Sequence, residues 1–522
     1  MPHVITQACC SDASCVNVCP VNCIHPTPGE PGFGGSEILH IDPDTCIDCG
    51  ACADACPVDA IYPLDRLGPA DLPYAQINAD FYTEHPEITS GWDAVEYRPA
   101  VRVGSEYQIA IVGTGPSAGY ALRELVARTD AHITVIDKLP TPGGLVRAGV
   151  APDHPGTKGV LKGFDLMYRH PRVTVATNIE VGRDVSPAEI DEYFDAVIYG
   201  VGASSARKLG IDGEDLPGST AATDLVAWYN AVPDVPRPFP DLPARSHRAV
   251  VVGTGNVALD VARILLSPVE RLRTTDIADR ALEYLTRQDL HEVVLLGRRA
   301  ATDAAYTAAE FRALQSVPGL EVVVDEDDGI DVTAPADPSR RRIVLKFHTS
   351  PVAAVGDEAV EAVRVDAAGT VRDIPADLLV RSIGYRSVPI DGLPFDEAAG
   401  RFPNAAGRIT GPDGGVQPGR YVVGWAKRGP SGGIGTNRID AIATVEALVE
   451  DVAAGKLAGG RGTGSEAFVG MARRRVGRVV DYGGLRSIDV AERRRGEVQG
   501  RPRVKFERFA DMLASTRRSR RT

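Results

Sequence analysis

The apolar positions of this 522-residue chain follow the same order twice. YQIAIVG (107–113) is a continuous apolar run of strand type, SAGYALRELVAR (117–128) spaces its apolar residues for a helix, and HITVID (132–137) returns to a strand. RAVVVG (248–253), LDVARILL (259–266) and HEVVLLG (291–297) repeat the succession. Strand–helix–strand units of this kind build parallel sheets covered by helices, so an α/β body is expected. The stretch 267–290 is longer than a minimal crossover and predicts an added helical segment. LLVRSIGYR (378–386) reads as a later strand, and NRIDAIATVEALVEDV (437–452) as a closing helix. Residues 66–106 carry Pro69, Pro73, Pro86 and Pro99 with little periodicity. With Tyr74, Phe81, Tyr82 and Trp92 among them, they read as an ordered linker draped over a neighbour.

A net charge of −13 with 43% hydrophobic and 24% charged residues is the composition of a soluble globular protein. The length suits roughly three or four domains. No run approaches the roughly 18 apolar residues of a membrane helix, and MPHVITQACC lacks the layout of a signal peptide. The expectation is a cytoplasmic enzyme or carrier. All nine cysteines lie at or before Cys56. Disulfides would be spread along the chain, whereas thiols crowded into one short segment bind metal.

Those cysteines form two repeats offset by 37 residues: Cys9, Asp12, Cys15, Cys19 and Pro20 align with Cys46, Cys49, Cys52, Cys56 and Pro57. The second run, C-x2-C-x2-C-x3-C-P, wraps three thiolates around one cubane iron–sulfur cluster and sends the fourth to another. Structural zinc prefers separated C-x2-C pairs. Crossing the repeats assigns Cys46, Cys49, Cys52 and Cys19 to one cluster, and Cys9, Cys15 and Cys56 to the other. Asp12 stands where the latter's fourth thiolate is due, and carboxylate holds that iron less firmly. The expectation is a [3Fe–4S] cluster, or a [4Fe–4S] cluster with a labile iron on Asp12. Cys10 is a possible substitute ligand; Cys23 reads as a small core residue. Residues 1 to about 65 resemble a bacterial two-cluster ferredoxin, and seven-iron ferredoxins offer the same picture. The segment through residue 68 holds nine acids against one Arg, a charge suited to steering towards basic partners.

Each strand–helix unit of the body turns on a glycine loop. Gly113-Thr-Gly115-Pro-Ser117-Ala118 lets a pyrophosphate approach a helix N-terminus, and Asp137, 24 residues after Gly113, would bind a ribose diol and repel a 2′-phosphate. That fits FAD or NAD. Gly253-Thr-Gly255-Asn256-Val257-Ala258 repeats the loop, but the following strand ends in Arg298-Arg299, which suits the 2′-phosphate of NADP(H). The assignment is FAD first, NADPH second. A third glycine-rich segment, 424–436, again precedes a helix.

Residues 107 to about 455 resemble the adrenodoxin-reductase-like ferredoxin–NADP reductases in GTGPSAG, LPTPGGLVRAGVAPDH, GTGNVALDVAR, GRR and GWAKRGPSGGIGTN. The resemblance implies a Rossmann-like flavoprotein whose FAD domain is interrupted by an NADP domain, behind an α+β ferredoxin-type head. The expected divisions are 1–65 (two clusters), 66–106 (linker), 107–206 (FAD, first part), 207–386 (NADP), 387–455 (FAD, second part) and 456–522 (a glycine-rich, then Arg-rich tail). It further implies FAD contacts at Ser117, Asp137, Leu145, Val181, Trp425, Gly432, Gly433 and Ile434. NADP contacts would fall at Arg207, Asn256, Val257, Ala258, Leu259, Arg298, Arg299, Glu310 and Gly432. His154 matches a family histidine placed near the flavin and is the one catalytic candidate, although a loop histidine is as readily structural. Ala313 stands where some relatives carry a carboxylate, which puts a conserved proton-relay dyad in doubt. Residues 471–522 carry 16 basic and 6 acidic side chains, read as a solvated or head-binding tail without a nucleic-acid motif.

Head and body together resemble a bacterial ferredoxin/ferredoxin–NADP reductase fusion. The expected reaction is hydride exchange between NADPH and FAD, then single-electron transfer through the clusters to or from external ferredoxin or another one-electron acceptor, without nucleic acid or membrane insertion. The alternatives are an electron-input subunit of a glutamate-synthase-like complex, a sensor responding to cluster state, and a nucleotide-binding scaffold.

Overall fold

The computed structural model describes residues 2–33, 38–88, 103–241, 245–457, 459–460 and 462–516. Trp92 and Pro99 of the expected linker lie outside them, as do the last six residues.

The head is built from two short hairpin-like pairings. Strand His3–Ile5 runs antiparallel to Ile61–Pro63, and Ile24–His25 antiparallel to His40–Ile41. Each cysteine run sits in the loop between them and contains a single helical turn, Val16–Val18 between Cys15 and Cys19 in one repeat and Ala51–Ala55, which holds Cys52, in the other. Within the stretch read as a linker, Pro73–Glu84 is a helix, with Pro73 in its first turn where its missing N–H costs nothing. Asn78 explains its attachment. Its carboxamide oxygen accepts from the N–H of Ile5 (3.2 Å) and of Ile41 (2.9 Å), and its NH2 donates to the Ile5 carbonyl (2.9 Å). One buried side chain thereby joins the two pairings. The Tyr82 hydroxyl adds bonds to the carbonyls of Cys23 (2.9 Å) and His40 (2.8 Å).

Beside a three-stranded antiparallel sheet (Thr349–Val355, Ala362–Ala367 and Thr370–Pro375) and one two-stranded pairing, the described residues of the body form two large sheets. The first has seven strands, ordered Asn404–Ala405, Arg408–Thr410, Val416–Val422, Ala196–Tyr199, Gln108–Val112, His132–Asp137 and Val173–Thr177, the last five parallel. The second has six parallel strands, ordered Ser219–Ala221, Leu378–Arg381, Arg248–Val252, Glu292–Leu296, Arg342–Lys346 and Glu321–Asp325. The interiors of their central strands are apolar, as burial on both faces requires, while at one end of the second sheet buried Glu292 pairs with Arg248 and Arg342. The chain crosses between the sheets at Ser205–Ala206 and returns at Tyr385–Arg386, and these two segments pair antiparallel as a two-stranded hinge. The stretch 267–290 contributes helices Val269–Leu272 and Asp279–Arg287.

The C-terminal segment departs from expectation. Instead of a solvated or head-binding tail it forms helices Gly464–Val476, Tyr482–Gln499 and Phe509–Ser515 packed on the body. Phe468, Ile488 and Met512 are buried there. The basic residues are accommodated by carboxylates and carbonyls of the body. Arg501 reaches Asp279 (2.5 Å) and the Thr275 carbonyl (2.8 Å), Lys505 reaches Asp276 (2.9 Å), and buried Glu492 holds Arg147 (2.6 Å) and Arg503 (3.1 Å).

Two outcomes are expected in the head. Asn78→Ala strands buried N–H and carbonyl groups and costs on the order of 3 kcal/mol, seen as earlier thermal unfolding of the head with cluster bleaching. His40, stacked on Phe81, is pushed by burial from 6.5 to about 4, against an opposing bond from the His25 backbone. Between those values the unfolded chain binds a proton that the folded one does not, so head stability falls as pH drops from 6.5 towards 4. His40→Leu flattens that slope in thermal melts across the window.

Candidate functional site

The cysteines gather in two groups. Cys19, Cys46, Cys49 and Cys52 line one cavity together with Cys23. Cys9, Cys15 and Cys56 lie near enough for each thiolate to disfavour the others. Burial pushes the Cys9 thiol up to about 11 and Cys52 to about 12, so such thiols become ligands only as a metal displaces their protons. A donor set of soft sulfurs at this spacing fits iron–sulfur clusters. Cys23 lies 3.4 Å from the Cys19 sulfur, and hydrogen bonding with it draws the thiols of Cys19 and Cys46 down to about 6 and about 5. It is therefore a neighbour of the ligand group as well as part of the core. Asp12 is buried; its carboxylate accepts from the Ser14 N–H (3.0 Å) and hydroxyl (2.6 Å). Cys10 packs into the apolar cluster of the body with Val58 and Ala60.

The two glycine loops are built alike, each at the C-terminal end of a parallel strand. Gly113 (φ +107°) and Gly253 (φ +124°) lie against the neighbouring crossover: a Cβ would sit 2.3 Å from the Gly200 carbonyl oxygen in one and 2.2 Å from that of Ser382 in the other. A Cβ on Gly115 or Gly255 would meet nothing within 4 Å. The first glycine thus permits close packing and the second leaves a cradle in front of the helix N-terminus, as a pyrophosphate requires. Helices Pro116–Arg128 and Asn256–Leu266 start there.

Around the first loop, Asp137 ends its strand with one oxygen accepting from the Thr114 hydroxyl (2.5 Å) and the other from the Leu139 N–H (2.8 Å). Burial raises its pKa despite these bonds. Gly144 closes on Gly115, presenting the half-exposed Leu145 on the next residue, and Val181 follows strand Val173–Thr177 at the same sheet edge. Ser117 is buried and donates to Asn437 (2.7 Å), tying this loop to helix Ile434–Ala453. Gly432 (φ +75°) and Gly433 lead into that helix, with the Trp425 indole N–H donating to the carbonyls of Ser431 (3.1 Å) and Gly432 (3.3 Å).

Around the second loop, Arg298 and Arg299 are exposed just beyond strand Glu292–Leu296. Arg207 is exposed at the hinge, its Nε donating to the Tyr385 carbonyl (3.3 Å). Asn256 accepts from the Thr307 N–H (2.8 Å), and Ala258 and Leu259 are buried in the helix behind it.

His154 and Glu310, read separately from the sequence, lie 3.6 Å apart. Between them runs a network the sequence reading missed. Fully buried Arg263 binds Asp153 (2.8 and 3.1 Å), Asp260 (2.5 Å) and Glu310 (3.4 Å). It joins the loop of the first sheet to the helices of the second. Burial, then the Arg263 charge, lowers the His154 pKa, so its imidazole is neutral at pH 7. An arginine inside the apolar run LDVARILL was the one available clue.

Paired dinucleotide folds facing each other across such a junction define a pyridine-nucleotide oxidoreductase. The pyridine nucleotide-disulphide oxidoreductase family matches residues 107–413, and the 4Fe-4S binding domain family matches residues 39–62. The chain is 44% identical to the probable ferredoxin/ferredoxin--NADP reductase of Mycobacterium tuberculosis over 99% of its own length and 95% of that protein's, and 43% identical to the corresponding Mycobacterium leprae protein over 98% of each. It belongs to the family of ferredoxin/ferredoxin–NADP reductases. The Mycobacterium tuberculosis FprA structure in complex with NADPH aligns with 78% of this chain and 99% of its own at 41% identity and a TM-score of 0.72. No helix among the described residues is long and apolar enough to cross a membrane.

Replacing Arg298 and Arg299 together by Ala is expected to raise KM for NADPH about 10²-fold while KM for NADH stays unchanged, measured by steady-state reduction of ferricyanide.

Proposed function

We propose that the chain is an NADPH–ferredoxin oxidoreductase carrying its own one-electron relay. In this reading NADPH occupies the second dinucleotide site and FAD the first. A [4Fe–4S] cluster is held by Cys19, Cys46, Cys49 and Cys52, and a [3Fe–4S] cluster by Cys9, Cys15 and Cys56. External ferredoxin or a similar carrier exchanges electrons with the head. The observation that carries this is the shared core: Cys9, Cys10, Cys56, Val58 and Ala60 of the head lie in one apolar cluster with Ile109, Ala121 and Val445 of the first sheet unit.

Bound flavin supplies the change from paired to single electrons that nicotinamide and iron–sulfur chemistry cannot make directly. The protein's own work is placement. Gly115 and Gly255 leave room for the pyrophosphates, Asp137 takes a ribose diol and repels a 2′-phosphate, and Arg298 with Arg299 attracts one. His154, kept neutral beside Glu310, adds no charge to the junction. The three-iron reading is supported by Asp12, whose carboxylate is already committed to Ser14 and, at 3.4 Å, to the Tyr120 hydroxyl. An iron taken there would compete with those bonds for the same oxygens.

The test is anaerobic. Protein reduced chemically and freed of reductant is mixed with NADP+, and both NADPH absorbance and the cluster EPR signals are followed. NADPH appearing as the signals fade is the expected result; clusters staying reduced beside a flavin that exchanges with NADP+ overturns the reading. Asp12→Cys should add about one iron per chain and abolish the EPR signal of an oxidised three-iron cluster.

A further inference from the structure

We propose that the contact between the Cys10–Asp12 loop and the first turn of helix Ile434–Ala453 is a permanent joint across which head and reductase exchange single electrons, with Gly435 and Arg438 as its positioning residues. The proposal rests on the function given above.

The Gly435 N–H donates to the Cys10 carbonyl at 2.9 Å. A Cβ at 435 would lie 1.5 Å from the Ser11 carbonyl oxygen and 2.9 Å from the Asp12 nitrogen. Both are backbone atoms and cannot swing aside. Gly435 lies inside a helix and outside the positive-φ region, so its backbone conformation does not demand glycine. There glycine costs about 1 kcal/mol relative to alanine. What requires it is the closeness of the head. Arg438, one turn on and buried, donates to the Asp12 carbonyl (2.6 Å) and the Ser14 hydroxyl (3.3 Å). Two further glycines meet the same face: a Cβ on Gly156 would lie 3.0 Å from the Ala8 Cβ, and one on Gly159 3.3 Å from the Pro57 carbonyl.

The joint abuts cysteine on one side and the nucleotide loop on the other. Cys10 follows the ligand Cys9, and Gly435 follows Ile434 and Gly433. The other ligand group points elsewhere, with Cys49 and Ile47 exposed. One NADPH yields NADP+, a proton and two electrons. These cross the joint singly, each reducing thiolate-bound iron in the head, and leave to two equivalents of ferricyanide.

The experiment mixes NADPH with holoenzyme, following flavin bleaching by stopped flow and head reduction by freeze-quench EPR, with hydrogen exchange of residues 9–14 and 434–438 alongside. In wild-type protein those amides are protected, and head reduction is first order and independent of protein concentration. Arg438→Ala loses the protection and slows head reduction at least about tenfold, while flavin bleaching stays within about twofold. Gly435→Ala does the same to protection and head reduction; should it fail to fold, Arg438→Ala and the wild-type exchange data still decide. Fast exchange of these amides in wild type, or unchanged head reduction in a variant that has lost protection, overturns the joint. NADPH failing to bleach the wild-type flavin overturns the proposed function instead.

Discussion

The first turn of helix Ile434–Ala453 is the constraint around which the rest is arranged. Gly433 and Ile434 end the third glycine-rich segment, Gly435 and Arg438 meet the head, and Asn437 takes the Ser117 hydroxyl from the first glycine loop. Three residues on from Asn437, Asp440 accepts from the Gly424 N–H and pairs with Lys427 at 3.0 Å. A helix start leaves its first N–H groups unsatisfied, and here one of them is taken by another module of the chain. Because these contacts fall within seven residues of one rigid rod, the nucleotide loop and the head cannot shift independently.

The second nucleotide unit is attached more sparingly. It joins the first through the hinge pair Ser205–Ala206 and Tyr385–Arg386, and through the cluster around Arg263. A buried cation with three carboxylates has a large desolvation cost and adds little net stability compared with apolar packing. It does fix direction, since guanidinium forks accept few arrangements. The C-terminal segment adds a strap, where Arg501 and Lys505 bind Asp279 of the second inserted helix and Asp276 just before it. The same segment buries Glu492 against Arg147 of the first unit, so it spans both.

What the sequence made legible was chemistry confined to a few neighbouring residues. The cysteine offset, both glycine loops, Asp137 and the Arg298–Arg299 pair each sit where a strand or loop forces a fixed spacing. Contacts between distant segments leave no such mark. Asp153 and Arg263 are 110 positions apart, Asn78 and Ile5 are 73 apart, and neither pair has a periodicity to betray it. The C-terminal helices were hidden for another reason. Their arginines dominate the composition, and the few apolar anchors, Phe468, Leu485, Ile488 and Met512, are too sparse to draw a stripe. The helix of the 66–106 stretch was masked by its prolines, although Pro73 stands at the one helical position that suits it.

Fusing the head through a covalent linker and then seating it by hydrogen bonds also sets a ratio. Every reductase unit owns one head, at an effective concentration that dilution cannot lower. A reductase that recruits a separate carrier slows when the carrier becomes scarce, and its output follows the expression of two genes. On the proposed electron path the first hand-over is insulated from supply, and only a last one, at the exposed Cys49 side of the head, would remain subject to competition among acceptors.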